Sequence, residues 1–358
     1  MSDLCSSWVK ELLSQPVNFL AENAPGSPIV ISSRIRLARN IKGLAFPAAE
    51  NAESAAEAAL LIQNALKSPD LADKRFFSLT ISEVNELERA ILLERRLVSR
   101  ELLQNPLGAV HVSADEHLAV MVNEEDHLRM QVILPGLQLA RAWEMINSLD
   151  DVLSSQLDMA YDSKLGYLTS CPSNVGTGLR ISVMLHLPAL VMDGSIKQLE
   201  RGLAKLGLTV RGINGEGSET LGNFYQISNQ STLGESEQDI MEHLARVIDQ
   251  VIEHEESARG KLLDCQRTRL LDKVGKAFGL LRYSYILSCK EAFNALSGAR
   301  LGVDMKLFNS LDASAVNELQ IAVCSGHLQY KSGVRLSEAE RDVLRAQTVR
   351  DKLKQDSA

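Results

Sequence analysis

The sequence has few of the features that mark membrane, secreted or nucleic-acid-binding proteins. No stretch approaches the roughly 20 apolar residues needed to cross a bilayer, and the longest candidate, VMLHLPALVM, is interrupted by His186 and Pro188. The opening MSDLCSSWVKELL carries charges where a signal peptide would have an apolar core. The net charge of −8 is opposite in sign to the basic surface of most nucleic-acid-binding proteins. We therefore expect a cytoplasmic protein that binds neither membranes nor nucleic acid.

Cysteine is also too sparse and too dispersed to staple a fold or to bind zinc. The five cysteines are an odd number and include no C-x-x-C pair, which argues against both a disulfide framework and a structural zinc site. We expect free thiols in a reducing compartment, and we assign no metal-ligating residues.

The chain does have the length and apolar content of a globular protein of about two domains, with 358 residues of which 45% are hydrophobic. From about 26 to 240, short strand-like runs alternate with helical stretches, whereas nearly everything after about 236 is typical of helix. We place a domain over 1–260 and a helical domain over 261–358.

Local patterns predict individual elements. The predicted strands are 29–36, 109–113, 118–123, 128–134, 180–187 and 208–211, and the predicted helices are 51–67, 82–103, 136–160, one starting after Ser236, and others within 261–298 and 336–355. Thr80 with Glu83, and Ser236 with Asp239, have the spacing of helix caps. The runs 109–113 and 118–123 predict a hairpin, which favours antiparallel pairing.

The arginines in the strand-like runs are Arg34, Arg36, Arg129, Arg180 and Arg211. Arg34 and Arg36 lie two apart, so their side chains share one face of a sheet, and Arg180 and Ser182 repeat that spacing. We expect several of these arginines to converge. Guanidinium groups grip phosphate oxygens in pairs and keep their charge, so such a set would bind a polyphosphate and offset charge during phosphoryl transfer. No G-x-x-x-x-G-K-[ST] loop is present, so side chains would have to hold a nucleotide. On spacing alone, ordinary surface arginines remain an alternative.

Two carboxylates and a cysteine complete this possible site. Glu125 lies in VNEEDHLRMQ, and Glu216 lies in the glycine-rich run RGINGEGSETLGN. A guanidinium is a poor nucleophile because it is protonated and delocalised, but two carboxylates could fix it and remove a proton. Cys171, two residues before Ser173, is either a thiolate whose pKa nearby arginines lower or a small buried hydrophobe. Glu125 could equally be a solvated strand end, and we interpret His127 as structural.

Together these segments resemble the phosphagen (ATP:guanido) kinase family, and more closely its bacterial protein arginine kinases. The similar segments are SSRIRLARN (32–40), NEEDHLR (123–129), CPSNVGTGLRISVMLHLPAL (171–190), RGINGEGSETLGNFYQISNQSTLG (211–234) and the helical tail. The resemblance implies an α+β fold in which helices flank an antiparallel sheet, followed by a C-terminal helical domain. It also implies that ATP, with Mg2+, donates its γ-phosphoryl group to a guanidinium nitrogen.

The resemblance assigns roles to residues. Glu125 and Glu216 match the substrate carboxylates, Cys171 matches the reactive cysteine, and Arg129, Arg180 and Arg211 complete the catalytic set. The segments that match nucleotide-binding residues are Ser32, Ser33, Arg34, Ile35 and Arg36; Arg129; Arg180, Ile181, Ser182, Val183 and Met184; and Arg211, Gly212, Ile213, Asn214, Gly215 and Glu216. Arg96 stands where the family usually has a histidine near the adenine.

The resemblance also favours protein-borne arginine as the acceptor. Kinases of free arginine or creatine have a whole helical domain before the point that matches Ile29, whereas 28 residues precede it here. In the tail, RDVLRA resembles a phosphoarginine-binding motif, in which Arg341 and Arg345 would clamp a phosphate, Asp342 would face a guanidinium and Ala346 ends the motif. A small-molecule guanidino kinase and a non-catalytic phosphoarginine-binding adaptor stay open as alternatives. The family further implies a homodimer, a zinc-containing activator protein and delivery of marked proteins to a Clp-type AAA+ protease.

Overall fold

An eight-stranded antiparallel sheet forms the centre of the molecule. The structure, a computed structural model, describes residues 6–21, 24–26, 28–47, 51–212, 221–307 and 312–355. The strands are β1 (Val30–Arg39), β2 (Phe76–Thr80), β3 (Ala109–Ser113), β4 (Leu118–Val122), β5 (Leu128–Pro135), β6 (Tyr161–Asp162), β7 (Gly166–Tyr167), β8 (Leu179–His186), β9 (Leu208–Gly212) and β10 (Phe224–Asn229). The main sheet has the order β2-β3-β4-β5-β1-β8-β10-β9, and β6 and β7 form a separate pair. The six predicted strands and the hairpin are confirmed, and β2, β6, β7 and β10 were not predicted.

Thirteen helices are described around this sheet. They are α1 (Ser7–Leu13), α2 (Ala52–Ala65), α3 (Glu86–Glu94), α4 (Arg100–Gln104), α5 (Leu139–Ser154), α6 (Pro188–Asp193), α7 (Ile196–Lys205), α8 (Glu237–Cys265), α9 (Arg267–Tyr283), α10 (Cys289–Asp304), α11 (Ala313–Ala322), α12 (Ser325–Ser332) and α13 (Glu338–Gln355). Throughout the described ranges, no helix combines the length and apolar character needed to span a membrane.

The two predicted helix caps have different outcomes. Ser236 caps α8 as expected, with its Oγ accepting from the Asp239 amide at 3.1 Å. The predicted cap at Thr80 is wrong because that residue ends β2, paired with Ala109. Asn85 caps α3 instead, in a reciprocal capping box with Glu88.

Two predicted helices are each interrupted. The helix predicted over 82–103 is divided into α3 and α4, and Arg96 between them takes a left-handed backbone with φ 61°, which an α-helix does not accommodate. The stretch predicted over 261–298 contains the end of α8, then α9, and then α10, which begins at a new cap, Ser288.

The two faces of the sheet differ because successive side chains of a strand alternate. On one face lie the fully buried Ile35, Val132, Ile181 and Val183. They belong to the main core, which α2, α5 and α8 cover. This core continues past residue 260 to Leu262 and Leu270, and α8 crosses that position without a break. The division of the chain at 260 stays a prediction.

The opposite face carries two smaller cores separated by a polar strip. At one end α3 and α4 cover Val110 and Met121, and at the other end the C-terminal helices cover Met184 and Phe224. The strip between these cores contains the arginines.

Candidate active site

The five arginines of the strand-like runs line one cavity, which confirms that they converge. Antiparallel pairing sets Arg36 directly opposite Arg180, and Ala38, two residues further along β1, opposite Arg129. All five of Arg34, Arg36, Arg129, Arg180 and Arg211 line a cavity of about 690 Å³. Because directly opposed residues of antiparallel strands point to the same face, the register itself creates this cationic surface.

Two of these guanidinium groups contact uncharged hydrogen-bonding partners. Arg34 donates to Oε1 of Gln226 at 2.7 Å, and Arg36 donates to Oε1 of Gln131 at 3.2 Å. Burial, followed by repulsion from Arg96, holds the pKa of Arg34 well below its usual range. Burial and repulsion from Arg34 do the same to the pKa of Arg36. A polyanion in the cavity would relieve this repulsion, so the chemistry of the lining fits a nucleotide triphosphate.

The acidic turn between β4 and β5 supplies the opposite charge. Glu124 is buried and forms an ion pair with Arg129, and it also accepts a hydrogen bond from Oγ of Ser99. Burial by itself would raise the pKa of Glu124. The attraction and hydrogen bonds of its partners, chiefly Arg129, are together stronger than this effect, so the pKa of Glu124 is lowered. The neighbouring Glu125 lines the arginine cavity, and burial together with repulsion from Glu124 raises its pKa. Glu125 is therefore the better proton acceptor of the two.

The rest of the turn is structural. Asp126 accepts from Nδ2 of Asn40 and from the Ser170 amide, each at 2.6 Å, which ties the turn to the segment that carries Cys171. Nδ1 of His127 accepts from the Ile41 amide at 3.1 Å, and burial lowers the pKa of His127. The interpretation of His127 as structural is confirmed.

Cys171 lies on the same cavity wall as Glu125. Its Sγ is 3.0 Å from Oγ of Ser173, the contact that their spacing suggested. The thiol is partly exposed and unpaired. A partly exposed sulfur that can hydrogen-bond therefore lines the same cavity as Glu125.

Some of the predicted nucleotide-binding residues have side chains that point away from the cavity. Ile35, Ile181 and Val183 lie in the main core on the other face of the sheet, and Oγ of Ser33 donates to the Gly136 carbonyl at 2.8 Å. Strand alternation causes this, since residues i and i+1 cannot share a face. Their side chains pack in the core on the opposite face of the strands that carry the arginines.

Other members of the predicted set lie in or near the arginine face. Ser182 bonds Nε of Arg34 through its Oγ at 3.3 Å, and Gly212 lines the cavity. Ser32 is buried, and Met184 belongs to the core beneath the C-terminal helices. Ile213, Asn214, Gly215 and Glu216 lie outside the described residues.

Arg96 was predicted to lie near an adenine, and its role stays a prediction. Its guanidinium carbon is 4.4 Å from the centroid of the Phe19 ring, and its carbonyl accepts from Nε2 of Gln131 at 2.8 Å. Burial lowers the pKa of Arg96 to about 10. The side chain therefore stacks beside the arginine strip, close enough to act on Arg34.

In the tail motif, Arg341 and Arg345 have different environments. Arg345 is 1% exposed, donates to the carbonyls of Val323 and Leu287 at 2.8 Å each, and is paired with Asp342. Arg341 is partly exposed and donates to the Leu336 carbonyl at 2.9 Å. Ala346 is fully buried. The i, i+4 spacing alone did not show that Arg345 turns inward, and binding of phosphoarginine by this motif stays a prediction.

Sequence reasoning missed two residues of α10 that hold the end of the glycine-rich run. Asn294 Oδ1 accepts from the Gly222 amide at 3.1 Å, and Ser297 Oγ accepts from Nδ2 of Asn223 at 2.7 Å. Gly222 and Asn223 both have positive φ, 64° and 57°. These contacts join residues more than 70 positions apart, so no local pattern predicts them.

Comparison with known proteins gives consistent matches over most of the chain. A family model described as ATP:guanido phosphotransferase, C-terminal catalytic domain, matches residues 57–258, and one described as Protein-arginine kinase McsB C-terminal domain matches residues 267–358. The chain is 44% identical over 352 residues to the Protein-arginine kinase of Syntrophomonas wolfei subsp. wolfei, covering 96% of this chain and 98% of that protein. It is 43% identical over 341 residues to the Protein-arginine kinase of Geobacillus stearothermophilus, covering 95% and 94%.

A solved structure shares the fold. The crystal structure of a lombricine kinase superposes with a TM-score of 0.58 at 24% identity, covering 67% of this chain and 70% of that chain.

Proposed function

The chain belongs to the ATP:guanido phosphotransferase family, among relatives named protein-arginine kinase, and from this we propose that it phosphorylates arginine side chains of proteins. In the proposed reaction the γ-phosphoryl group of Mg-ATP passes to a guanidinium nitrogen. The observation that carries the proposal is the single cavity in which the five arginines of the strands meet Glu125 and Cys171. Such a cavity offers cations for a phosphate chain and a carboxylate for a guanidinium, side by side.

On the donor side, the arginines would bind the triphosphate of ATP. Arg129, which is paired with Glu124, would contact the phosphoryl group in transfer. Within the described parts of the chain, no group of three or more His, Cys, Asp or Glu side chains is arranged to hold a metal ion. Mg2+ usually binds through substrate phosphates and at most one or two carboxylates, so it would enter with ATP. When bound, it offsets phosphate charge.

On the acceptor side, Glu125 would bind the guanidinium and take its proton. The bond between phosphorus and the β-phosphate oxygen breaks as the nitrogen–phosphorus bond forms, ADP leaves, and the nitrogen's proton passes to a carboxylate. The raised pKa of Glu125 brings it closer to neutrality, which favours a general base. Glu216, the second proposed carboxylate, lies outside the described residues, and Cys171 would contact the guanidinium from the cavity wall.

The direct test is incubation of purified protein with Mg-ATP and an arginine-rich protein, followed by mass spectrometric mapping of acid-labile phosphate. We expect phosphoarginine, and we expect Glu125→Gln to slow its formation by about 10²–10⁴-fold, as for loss of a positioned base. ATP affinity should be retained. Glu144→Gln, an exposed position on α5, is the matched control.

Three outcomes would contradict the proposal in different ways. Normal turnover by Glu125→Gln would remove Glu125 from the chemistry. Efficient phosphorylation of free arginine would restore a small-molecule guanidino kinase. Phosphoarginine binding without any transfer would favour an adaptor.

The remaining parts of the proposal rest on family resemblance. They are a homodimer, a zinc-containing activator protein, delivery of phosphorylated proteins to a Clp-type AAA+ protease, and phosphoarginine binding by Arg341, Asp342 and Arg345. A cytoplasmic location also belongs to the proposal, since ATP is available there and the four described cysteines are free thiols.

A further inference from the structure

We propose that a second cavity, which adjoins the arginine cavity at Glu125 and Cys171, binds the polypeptide around the acceptor arginine, and that Glu101 on its wall selects acceptors with a second basic side chain nearby. This inference rests on the proposed function. It assigns Glu101 a role in the choice of acceptor. It also assigns a binding surface to the polypeptide around the acceptor arginine, which the arginine cavity does not hold.

The two cavities meet where the proposed chemistry occurs. Glu101, Glu124, Glu125 and Cys171 line both of them. The second cavity measures about 740 Å³ and extends from these residues towards α2, α4 and the segment 105–107. Small-molecule pockets typically enclose about 300–1,000 Å³, so there is room for more than one guanidinium group. A polypeptide could lie here while its arginine reaches Glu125.

The charge of the second cavity is the reverse of the first. Among the described residues that line it, none is Lys or Arg, and three are glutamates. Glu124 is already paired with Arg129, but within the described ranges neither Glu101 nor Glu125 forms an ion pair. The acceptor guanidinium would supply a cation for Glu125. A second cation, from a neighbouring residue of the substrate, would then be attracted to Glu101.

Glu101 is close enough to act on the reacting groups and exposed enough to meet a substrate. It is an exposed residue in the first turn of α4. Burial, Glu124 and, more weakly, Asp126 and Glu101 raise the pKa of Glu125. The charge of Glu101 therefore acts on the carboxylate of Glu125, while the carboxylate of Glu101 itself stays accessible.

Asn123 fixes the wall of the second cavity beside Glu125. Asn123 is fully buried, and its Nδ2 donates to the carbonyls of Ala55 at 2.8 Å and Leu107 at 3.3 Å. These bonds tie the turn that carries Glu125 to α2 and to the segment 105–107, which also line the second cavity. The wall is therefore held in place before a substrate binds.

The same wall is partly apolar, which suits the aliphatic stem of arginine. The apolar lining residues are Pro47, Ala55, Pro106, Leu107 and Pro172. Apolar contacts for the stem, a carboxylate for the head and a cavity that continues beyond them together match an arginine within a chain better than the free amino acid.

The test compares three peptides that each contain one arginine and differ only two residues away, where they carry Lys, Gln or Glu. For the wild-type enzyme we expect kcat/KM to fall in the order Lys, Gln, Glu, with each step about two- to fivefold, as for a partly exposed ion pair. Glu101→Gln should bring the three values together, and Glu101→Lys should invert the order. Raised salt should weaken the wild-type preference.

The control is again Glu144→Gln, which should keep the wild-type order. An unchanged order in Glu101→Gln and Glu101→Lys would overturn this inference while leaving the kinase proposal intact. A wild-type enzyme that phosphorylates none of the three peptides, nor any protein, would instead overturn the proposed function and this inference with it. Because Glu101 is exposed on a helix, both substitutions should leave folding intact, and circular dichroism checks this.

Discussion

At the scale of the residue, three consecutive acids have three different roles. Glu124 holds Arg129, Asp126 holds Asn40 and the Ser170 amide, and Glu125 faces the cavity. The hairpin turn produces this difference, because a backbone reversal points successive side chains in different directions. The role of each carboxylate therefore comes from its neighbours, since the side chains themselves are nearly identical.

The pH dependence of the reaction tests this division. Activity should decline as pH falls through the raised pKa of Glu125, because a protonated carboxyl cannot accept a proton. Glu124→Gln removes a negative neighbour, so the pKa of Glu125 should decrease and the acid limb of the kcat/KM profile should move to lower pH. The maximum rate should decrease as well, since Arg129 loses its partner, and stability should decrease by about 1–3 kcal/mol.

The profile of kcat/KM against pH, together with denaturant unfolding, checks both effects. An acid limb that stays in place in Glu124→Gln would mean that a group other than Glu125 controls it.

At the scale of the element, α13 shows how one helix can combine an exposed face and a buried anchor. Arg345 turns inward and bonds the carbonyls of Val323, at the end of α11, and Leu287, just before α10. The Leu287 amide donates in return to the Asp342 carbonyl at 3.1 Å. The motif is therefore part of the packing of the C-terminal helices as well as a candidate binding site.

This difference within one motif predicts different effects of two alanine substitutions. Arg345→Ala should destabilise the protein by about 3–5 kcal/mol, because it breaks a buried ion pair and leaves two carbonyls without their donor. Arg341→Ala, on the partly exposed side, should cost about 1 kcal/mol or less. Urea unfolding measures both, and calorimetry with free phosphoarginine on the folded Arg341→Ala variant shows whether binding depends on the motif. Equal losses of stability would contradict the two environments described for these arginines.

At the scale of the whole molecule, a buried charge network joins the sheet region to the C-terminal helices. Glu255 of α8 is fully buried and accepts from the amides of Ala189 and Leu190, at the start of α6, at 3.0 Å each. It is also paired with Arg259 at 2.9 Å, and Arg259 reaches Asp304 of α10 at 3.3 Å. The domain boundary predicted at 260 therefore falls next to Arg259, which is paired with Glu255 before the boundary and with Asp304 after it.

Removal of Glu255 should therefore affect the entire molecule. Glu255→Ala leaves Arg259 buried without its nearest partner and two amides without an acceptor, so we expect a loss of about 3–5 kcal/mol. Tryptophan fluorescence and circular dichroism during denaturant unfolding should report one shifted transition. A loss below about 1 kcal/mol, within the range of surface substitutions, would show that the network does not couple the two regions. Glu256→Ala, the exposed neighbour on the same helix, serves as the control.

The sequence by itself determined the features that depend on local geometry. The period of two along β1 was enough to predict that Arg34 and Arg36 share a face, because strand alternation is fixed by the backbone. The cap at Ser236 and the hairpin of β3 and β4 were likewise predictable, since each involves residues a few positions apart. The family could also be identified from the sequence, because a resemblance between segments depends only on which residues follow one another along the chain.

Only the tertiary structure decided which distant residues meet. It placed β1 at the centre between β5 and β8, turned Glu124 rather than Glu125 towards Arg129, and stacked Arg96 on Phe19. Each of these contacts joins side chains whose spacing along the chain carries no signal, and its energy exists only once the fold has brought the partners together. The second cavity is the same kind of feature, because its wall is assembled from segments between Pro47 and Pro172 that no local pattern connects.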